Sequence, residues 1–228
     1  MPFTRGSRYP LANTYEFTPA RLTGLVLWCK YQTGITVTGA GVSQWNDASG
    51  LEHHLKQAND TNRPAKQSDG AILFDGVDNF LKADAFTFIQ PSFIYVLGKQ
   101  ITWTASDNWF DGDTANTGLL QQVTLTPQIA ANADIQSSTI SPALNTDVVV
   151  CVGFNGANGV LQLNHGTPVT GNFGADTLDG FTLGAIGGGG SGWSNIQIKE
   201  VIAYNTAHDA NTRRRVIKYL AKVGKLSI

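Results

Sequence analysis

An all-β, two-sheet antiparallel sandwich carrying one C-terminal α-helix is the fold this sequence predicts, on three observations. Charged residues make up only 14% of 228 residues while glycine occurs 25 times, a balance that suits short strands joined by tight turns better than a helical bundle. Apolar runs of four to eight residues recur between Gly, Asn and Asp clusters. Helical spacing is clear in a single segment, at the C-terminus. A chain of this length forms one sandwich domain with a core large enough to need no staples.

The elements follow in order. Residues 1–23 hold Pro2, Pro10 and Pro19, three arginines and no periodic apolar pattern, so they are expected to be an extended arm. The domain is expected over 24–228. Its strand signals begin with Leu25–Trp28, between Gly24 and Gly34, and continue through Ala71–Phe74, which runs into the turn pair Asp75-Gly76. Ser92–Leu97, Asp147–Phe154, Val160–Leu163 and Phe181–Ile186 are further strands. Asn195–Tyr204 alternates, with Ile196, Ile198 and Glu200 on one parity and Gln197, Lys199 and Val201 on the other. The helix is expected at about 207–223: Thr206 and Asp209 form a capping-box pattern, Val216, Tyr219, Leu220 and Val223 share a face, and Gly224 stands where a helix terminator belongs.

The stretch Trp45–Leu81 reads WNDASGLEHHLKQANDTNRPAKQSDGAILFDGVDNFL. It contains Trp-x-Asp-x-Ser-Gly, then Gln57, Arg63-Pro64 and Phe-Asp-Gly-x-x-Asn-x-Leu. It resembles the N-terminal half of laminin-G-like domains, members of the concanavalin A-like jelly-roll lectin and glucanase superfamily. The strand IKEVIAYN followed by a helix ending KYLAKVGK resembles the end of such domains, and Leu163-Asn164-His165-Gly166 is similar to their Leu-x-Asn-Gly hairpin with His165 inserted. The resemblance implies a jelly roll that binds rather than cleaves. The glucanase branch carries Glu-x-Asp-x-x-Glu on one strand; the three glutamates here, Glu16, Glu52 and Glu200, do not form it, so no catalytic residue is expected.

Aromatic rings beside amides and carboxylates suit sugars, the ring covering C–H groups while polar side chains bond hydroxyls. Trp103, Trp109, Asp111 and Trp193 are therefore the candidate glycan site, with the plugging of the sandwich ends as the plain alternative. Trp28 and Trp45 read as core. Asp111 and Asp113 are the candidate Ca²⁺ ligands, although Asp and Asn in turns mostly accept backbone hydrogen bonds, the reading given to Asp75-Gly76-Val77-Asp78-Asn79. No cofactor is required. His53-His54, His165 and His208 lack zinc spacing. Gly187–Gly192 matches a dinucleotide fingerprint in letters only, since a strand follows it. Cys29 and Cys151 lie in apolar runs and read as buried thiols; a disulfide requires both strands to face one core.

The net charge of −1 argues against a surface built for nucleic acid, and no apolar run reaches membrane-spanning length. No secretion signal opens the chain, so production in a host cytoplasm is expected. The sequence is similar to phage-encoded laminin-G-like proteins, including a Thr-Pro-Ala-Arg-Leu-x-Gly-Leu lead-in at 18–25. That resemblance implies a virion structural protein (a capsid decoration, tail or fibre-associated subunit) with a lectin-like domain for host-surface glycans. Its partners would be other virion proteins and further copies of itself. Assembly contacts would fall on Arg5, Arg8 and Tyr9 of the arm and on Arg214 and Lys218 of the basic helix. The alternative is a free-standing carbohydrate-binding lectin module, with or without calcium.

Overall fold

The computed structural model describes residues 16–114, 118–122 and 126–228. In chain order these form β1 (Leu25–Cys29), β2 (Ile35–Thr38), β3 (Gly41–Trp45), β4 (Leu55–Lys56), β5 (Ala65–Lys66), β6 (Ile72–Asp75), β7 (Leu81–Lys82) and β8 (Ser92–Gln100). Then come β9 (Asn108–Asp111), β10 (Leu119–Gln122), β11 (Ile129–Asn132), β12 (Val148–Phe154), β13 (Gly159–Leu163), β14 (Val169–Gly171), β15 (Thr182–Leu183), β16 (Asn195–Tyr204) and α1 (Ala210–Gly224). The strands pair antiparallel in two eight-stranded sheets. The first is ordered β14-β13-β12-β8-β16-β6-β5, with β1 also paired to β16; the second is β11-β10-β9-β15-β7-β4-β3-β2. An all-β sandwich with one terminal helix is the architecture expected from the sequence.

The long apolar runs belong to the first sheet because both of its faces are covered. On β8, Ile94 and Val96 point into the core shared with the second sheet, while Phe93, Tyr95 and Leu97 point the other way. On β12, Val148, Val150, Val152 and Phe154 face the sandwich core, and Val149 and Cys151 face the opposite side. That opposite side is roofed by α1 through Val216, Ile217 and Leu220, each wholly buried and worth about 1.5–3 kcal/mol of apolar burial. Three consecutive valines are the signature of such a strand, apolar on every residue because neither face meets water.

Cys29 lies in the sandwich core and Cys151 under the helix, so both are free buried thiols on opposite faces of one sheet and cannot pair.

The parity expected along β16 breaks at one residue. Ile196 and Ile198 face the sandwich core, yet so do Val201 and Ala203, while Ile202 and Tyr204 face the helix. The pairing with β8 shifts between Ile198 and Glu200, leaving Lys199 as an extra residue. Gly98 makes the bulge feasible: a Cβ there would sit 2.5 Å from the Gln197 carbonyl oxygen. Below the bulge β16 pairs with β6, and above it with β1. Lys199 leaves the ladder to pair with Asp147 at 2.5 Å, and Glu200 turns toward the helix instead of sharing the side of Ile196.

The helix starts later than the capping-box reading places it. Asp209, not Thr206, is the N-cap, its carboxylate accepting from the Thr212 amide at 2.7 Å. The left-handed terminal residue is Lys225 (φ 56°), with Gly224 the last helical position. Residues 16–23 lie against this layer: Phe17 packs edge-on to Tyr219, and the Tyr204 hydroxyl donates to the Pro19 carbonyl. Arg5, Arg8 and Tyr9 fall outside the described residues. Among the described residues no helix is long and apolar enough to cross a membrane.

Candidate functional site

Among the described residues no helix roofs the outer face of the second sheet. Pairing aligns one row across six strands: Thr36 opposite Gln44, Gln44 opposite Lys56, Lys56 opposite Lys82, Lys82 opposite Thr182, and Thr182 opposite Asp111. The next row (Trp45 opposite Leu55, Leu81 opposite Leu183, Leu183 opposite Phe110) is the sandwich core, so the polar row faces outward. Two ion pairs tether it, Lys56 to Asp84 at 3.0 Å at the surface and the half-buried Lys82 to Asp113 at 2.7 Å.

Half of the row is open and half is shut. Around Thr36, Ser43, Gln44, Lys56, Gln57 and Arg63 lies a groove of about 480 Å³. Its wall is rigid. Arg63 donates to the carbonyls of Gln57, Thr38 and Ala58 and to Asp60, and Gln57 donates to the Phe80 carbonyl while accepting from Asn59 N–H. At the other end the glycine run 187–190 folds over Thr182 and Asp111, both wholly buried. Gly189 lies against the half-buried Phe80 ring, so close that a Cβ would come within 2.4 Å of it, at a backbone φ of +78° that disfavours other residues.

The residues expected to hold a sugar fall in this second region, and two of them are sealed. Trp109 is wholly buried on β9, its ring in the core and its indole N–H bonded to Gln100 Oε1 at 2.5 Å. It offers no face to a ligand. Asp111 is also wholly buried; its two oxygens accept from Gly112 N–H and Gly187 N–H, both at 2.8 Å, and so staple the glycine run to the sheet. Trp193 is half-buried and donates to the Gly189 carbonyl at 3.0 Å; Trp103 is half-buried against the core edge. The structure does bring Trp193 beside Asn108, through a single parallel bridge. Near them burial pushes the Asp107 carboxyl up to about 6, against the opposing pull of a Thr104 hydrogen bond.

The calcium candidates are engaged otherwise. Asp113 bonds the Lys82 ammonium, and its own amide and that of Thr114 donate to Asp179. No group of three or more metal-ligating side chains occurs among the described residues. The loop at 75–79 is a turn held by its own side chains: Asp75 accepts from Val77 N–H and Asn79 accepts from Asp75 N–H. Trp45 is core, with its indole N–H on the Lys30 carbonyl, and Asp47 gathers Trp28 N–H, Ser49 N–H and His53 N–H. Arg214 and Lys218 are exposed on the helix.

Sequence reasoning missed the row itself. Gln44, Lys56 and Lys82 sit in strands of two to five residues, and only the pairing register makes them neighbours. It also missed Glu200, 1% exposed between sheet and helix. Its carboxylate accepts from the Trp28 indole (2.7 Å), the Tyr219 hydroxyl (2.9 Å) and Tyr31 N–H (3.2 Å), while burial raises its pKa against those bonds.

No protein-family model matches the chain, and no curated protein matches its sequence. Solved structures do share its fold. The sialidase of Trypanosoma rangeli in complex with sialic acid is similar over 91% of this chain and 34% of its own length, at 14% identity and a TM-score of 0.61. An arabinofuranosidase complexed with arabinofuranosyl-alpha-1,2-xylobiose is similar over 87% of this chain and 59% of its own, at 11% identity and 0.59. This chain thus spans about a third of the sialidase and three-fifths of the arabinofuranosidase. At these identities the likeness establishes a β-sandwich fold shared with parts of carbohydrate-active enzymes.

Proposed function

We propose that this chain is a non-catalytic carbohydrate-binding module whose glycan lies across the open half of the second sheet, on Thr36, Gln44, Lys56 and Lys82. The observation that carries the reading is the in-register polar row on an unroofed sheet face, walled by a loop that Arg63 holds in place. Amide, hydroxyl and ammonium groups spaced at the strand interval of about 4.8 Å can meet successive hydroxyls of a sugar chain without rearranging. The fold shared with a sialidase and an arabinofuranosidase supports the same reading. The reading leaves out glucanase chemistry, since the three glutamates lie apart: Glu200 is sealed under the helix, Glu16 pairs with Lys222, and Glu52 stands exposed in a turn. No metal is needed by this arrangement.

A virion role, implied by the sequence resemblance, has no observation of the fold behind it, and carbohydrate binding is the better supported reading. A glycan array probed with the wild type and with Gln44→Ala/Lys56→Ala tests it. Binding is expected for the wild type, unchanged by EDTA and lost in the variant. An array that stays blank, or a variant that binds as the wild type does, overturns the sheet-face site; released reducing sugar during incubation overturns the non-catalytic reading.

A further inference from the structure

We propose that the outer side of α1 is a second, separate binding surface that takes a linear acidic polysaccharide, a chain of uronate-type sugars. The charge distribution points there. Residues 210–228 carry Arg213, Arg214, Arg215, Lys218, Lys222 and Lys225 and no acidic residue. Residues 1–15 add Arg5 and Arg8, again with no acid. All 17 acidic residues therefore lie in 16–209, alongside only eight of the 16 basic ones. A chain that is nearly neutral as a whole carries six of its 16 basic residues on α1 and the few residues after it.

Two of the helix cations are presented, not consumed, whereas Arg213 donates to Gln162 Oε1 and to the His208 carbonyl. Among the described residues neither Arg214 nor Lys218 has a carboxylate partner, and both are exposed. Lys222 pairs with Glu16, and Arg215 lies over the Phe17 ring at 4.8 Å. One turn of helix separates Arg214 from Lys218, a rise of about 6 Å on a common face.

The shape beside them is a trough. Two adjoining grooves, of about 470 and 570 Å³, run between α1 and the turn that links β13 to β14, and they share His165 and Arg214. Gln162 lines the first and Asn211 the second. A third groove of about 400 Å³ continues along the helix past Arg215 and Lys218 to Phe17 and Glu16, whose carboxylate is taken up by Lys222. The Asn211 amide, the His165 imidazole and the unpaired Arg214 and Lys218 thus line one concave path, while the Gln162 amide is taken up by Arg213 and the Gly166 carbonyl. Amides meet hydroxyls, and guanidinium and ammonium groups meet carboxylates. A repeating sugar acid offers both in alternation. A bilayer asks for projecting apolar groups rather than a concavity. Single-stranded nucleic acid asks for open aromatic faces, whereas Phe17 is capped by Arg215.

The test uses the full chain. Polygalacturonate is titrated alongside its fully methyl-esterified form, poly-L-glutamate, a DNA oligonucleotide and phosphatidylserine vesicles, at low and high salt. The expected result is binding of polygalacturonate that weakens with salt and is absent for the ester. Removing two exposed charge contacts in Arg214→Ala/Lys218→Ala should weaken it roughly tenfold at an unchanged melting temperature. Gln44→Ala/Lys56→Ala should bind polygalacturonate as the wild type does, which separates this surface from the sheet face. Failure to bind polygalacturonate at low salt, equal binding of the ester or of any of the other three probes, or an unaffected helix variant overturns the proposal.

Discussion

The two sheets are built with the same number of strands and share one core, yet their outer faces have opposite fates. The first sheet is roofed by α1, so β8 and β12 are apolar on both sides, and the Glu200 carboxylate buried between sheet and helix is held by three donors. The second sheet leaves half its outer face to solvent and keeps a polar row there. Stability and recognition are thereby assigned to different layers. Substitutions on the roofed face should cost folding, and substitutions on the open face should cost binding.

The sharpest way to break that contrast is to shift the ladder beyond the bulge. Inserting one alanine between Glu200 and Val201 would reverse the faces of the residues that follow, aiming Val201 and Ala203 at the helix and Ile202 and Tyr204 at the sandwich core. No cooperative thermal transition is expected, and calorimetry showing a native-like one would contradict the register argument. Next in size is Leu220→Ala under the roof, expected to cost about 2–5 kcal/mol in chemical denaturation.

Glu200→Gln gives a smaller effect that depends on pH. Burial raises the Glu200 pKa, so the folded chain holds its proton where the unfolded chain has released it. That contribution is complete below the ordinary glutamate value of 4.5 and is lost as pH rises through the folded pKa. The wild type should lose stability over that interval relative to the glutamine variant, and denaturant midpoints that run parallel from pH 4 to 8 would show that the carboxyl is not desolvated. Smallest is Gln44→Ala or Lys56→Ala, expected to change stability by no more than about 0.5 kcal/mol. A larger loss would mean that the polar row is structural after all.

The same contrast explains what could be seen in the sequence. Leu25–Cys29, Ser92–Gln100, Val148–Phe154 and Asn195–Tyr204 are the long strands of the roofed sheet, and their apolar runs announce them. Leu55–Lys56, Leu81–Lys82 and Thr182–Leu183 are two residues each, too short to carry a period, and the outward row exists only through their pairing. The Trp45–Leu81 stretch was legible as a fold signature because it is scaffold: Asp47, Arg63, Asp75 and Asn79 all satisfy backbone groups. Trp109 misled for a related reason. Its neighbours Asp107, Asn108, Asp111 and Asp113 make the segment look solvent-facing, but Asp111 turns to backbone amides and the indole is buried behind it. The phase change at Lys199 has no mark in the letters, since either parity of β16 reads as a regular strand.

The placement of the two thiols has a practical consequence. Each is silent to an alkylating reagent while its own side of the first sheet stays shut, and burial pushes the Cys151 thiol up to about 12 and the Cys29 thiol higher than usual as well. Paired with single Cys→Ala controls, the molecule therefore contains two independent clocks: labelling at Cys151 times the lifting of the helix, and labelling at Cys29 times the parting of the sheets.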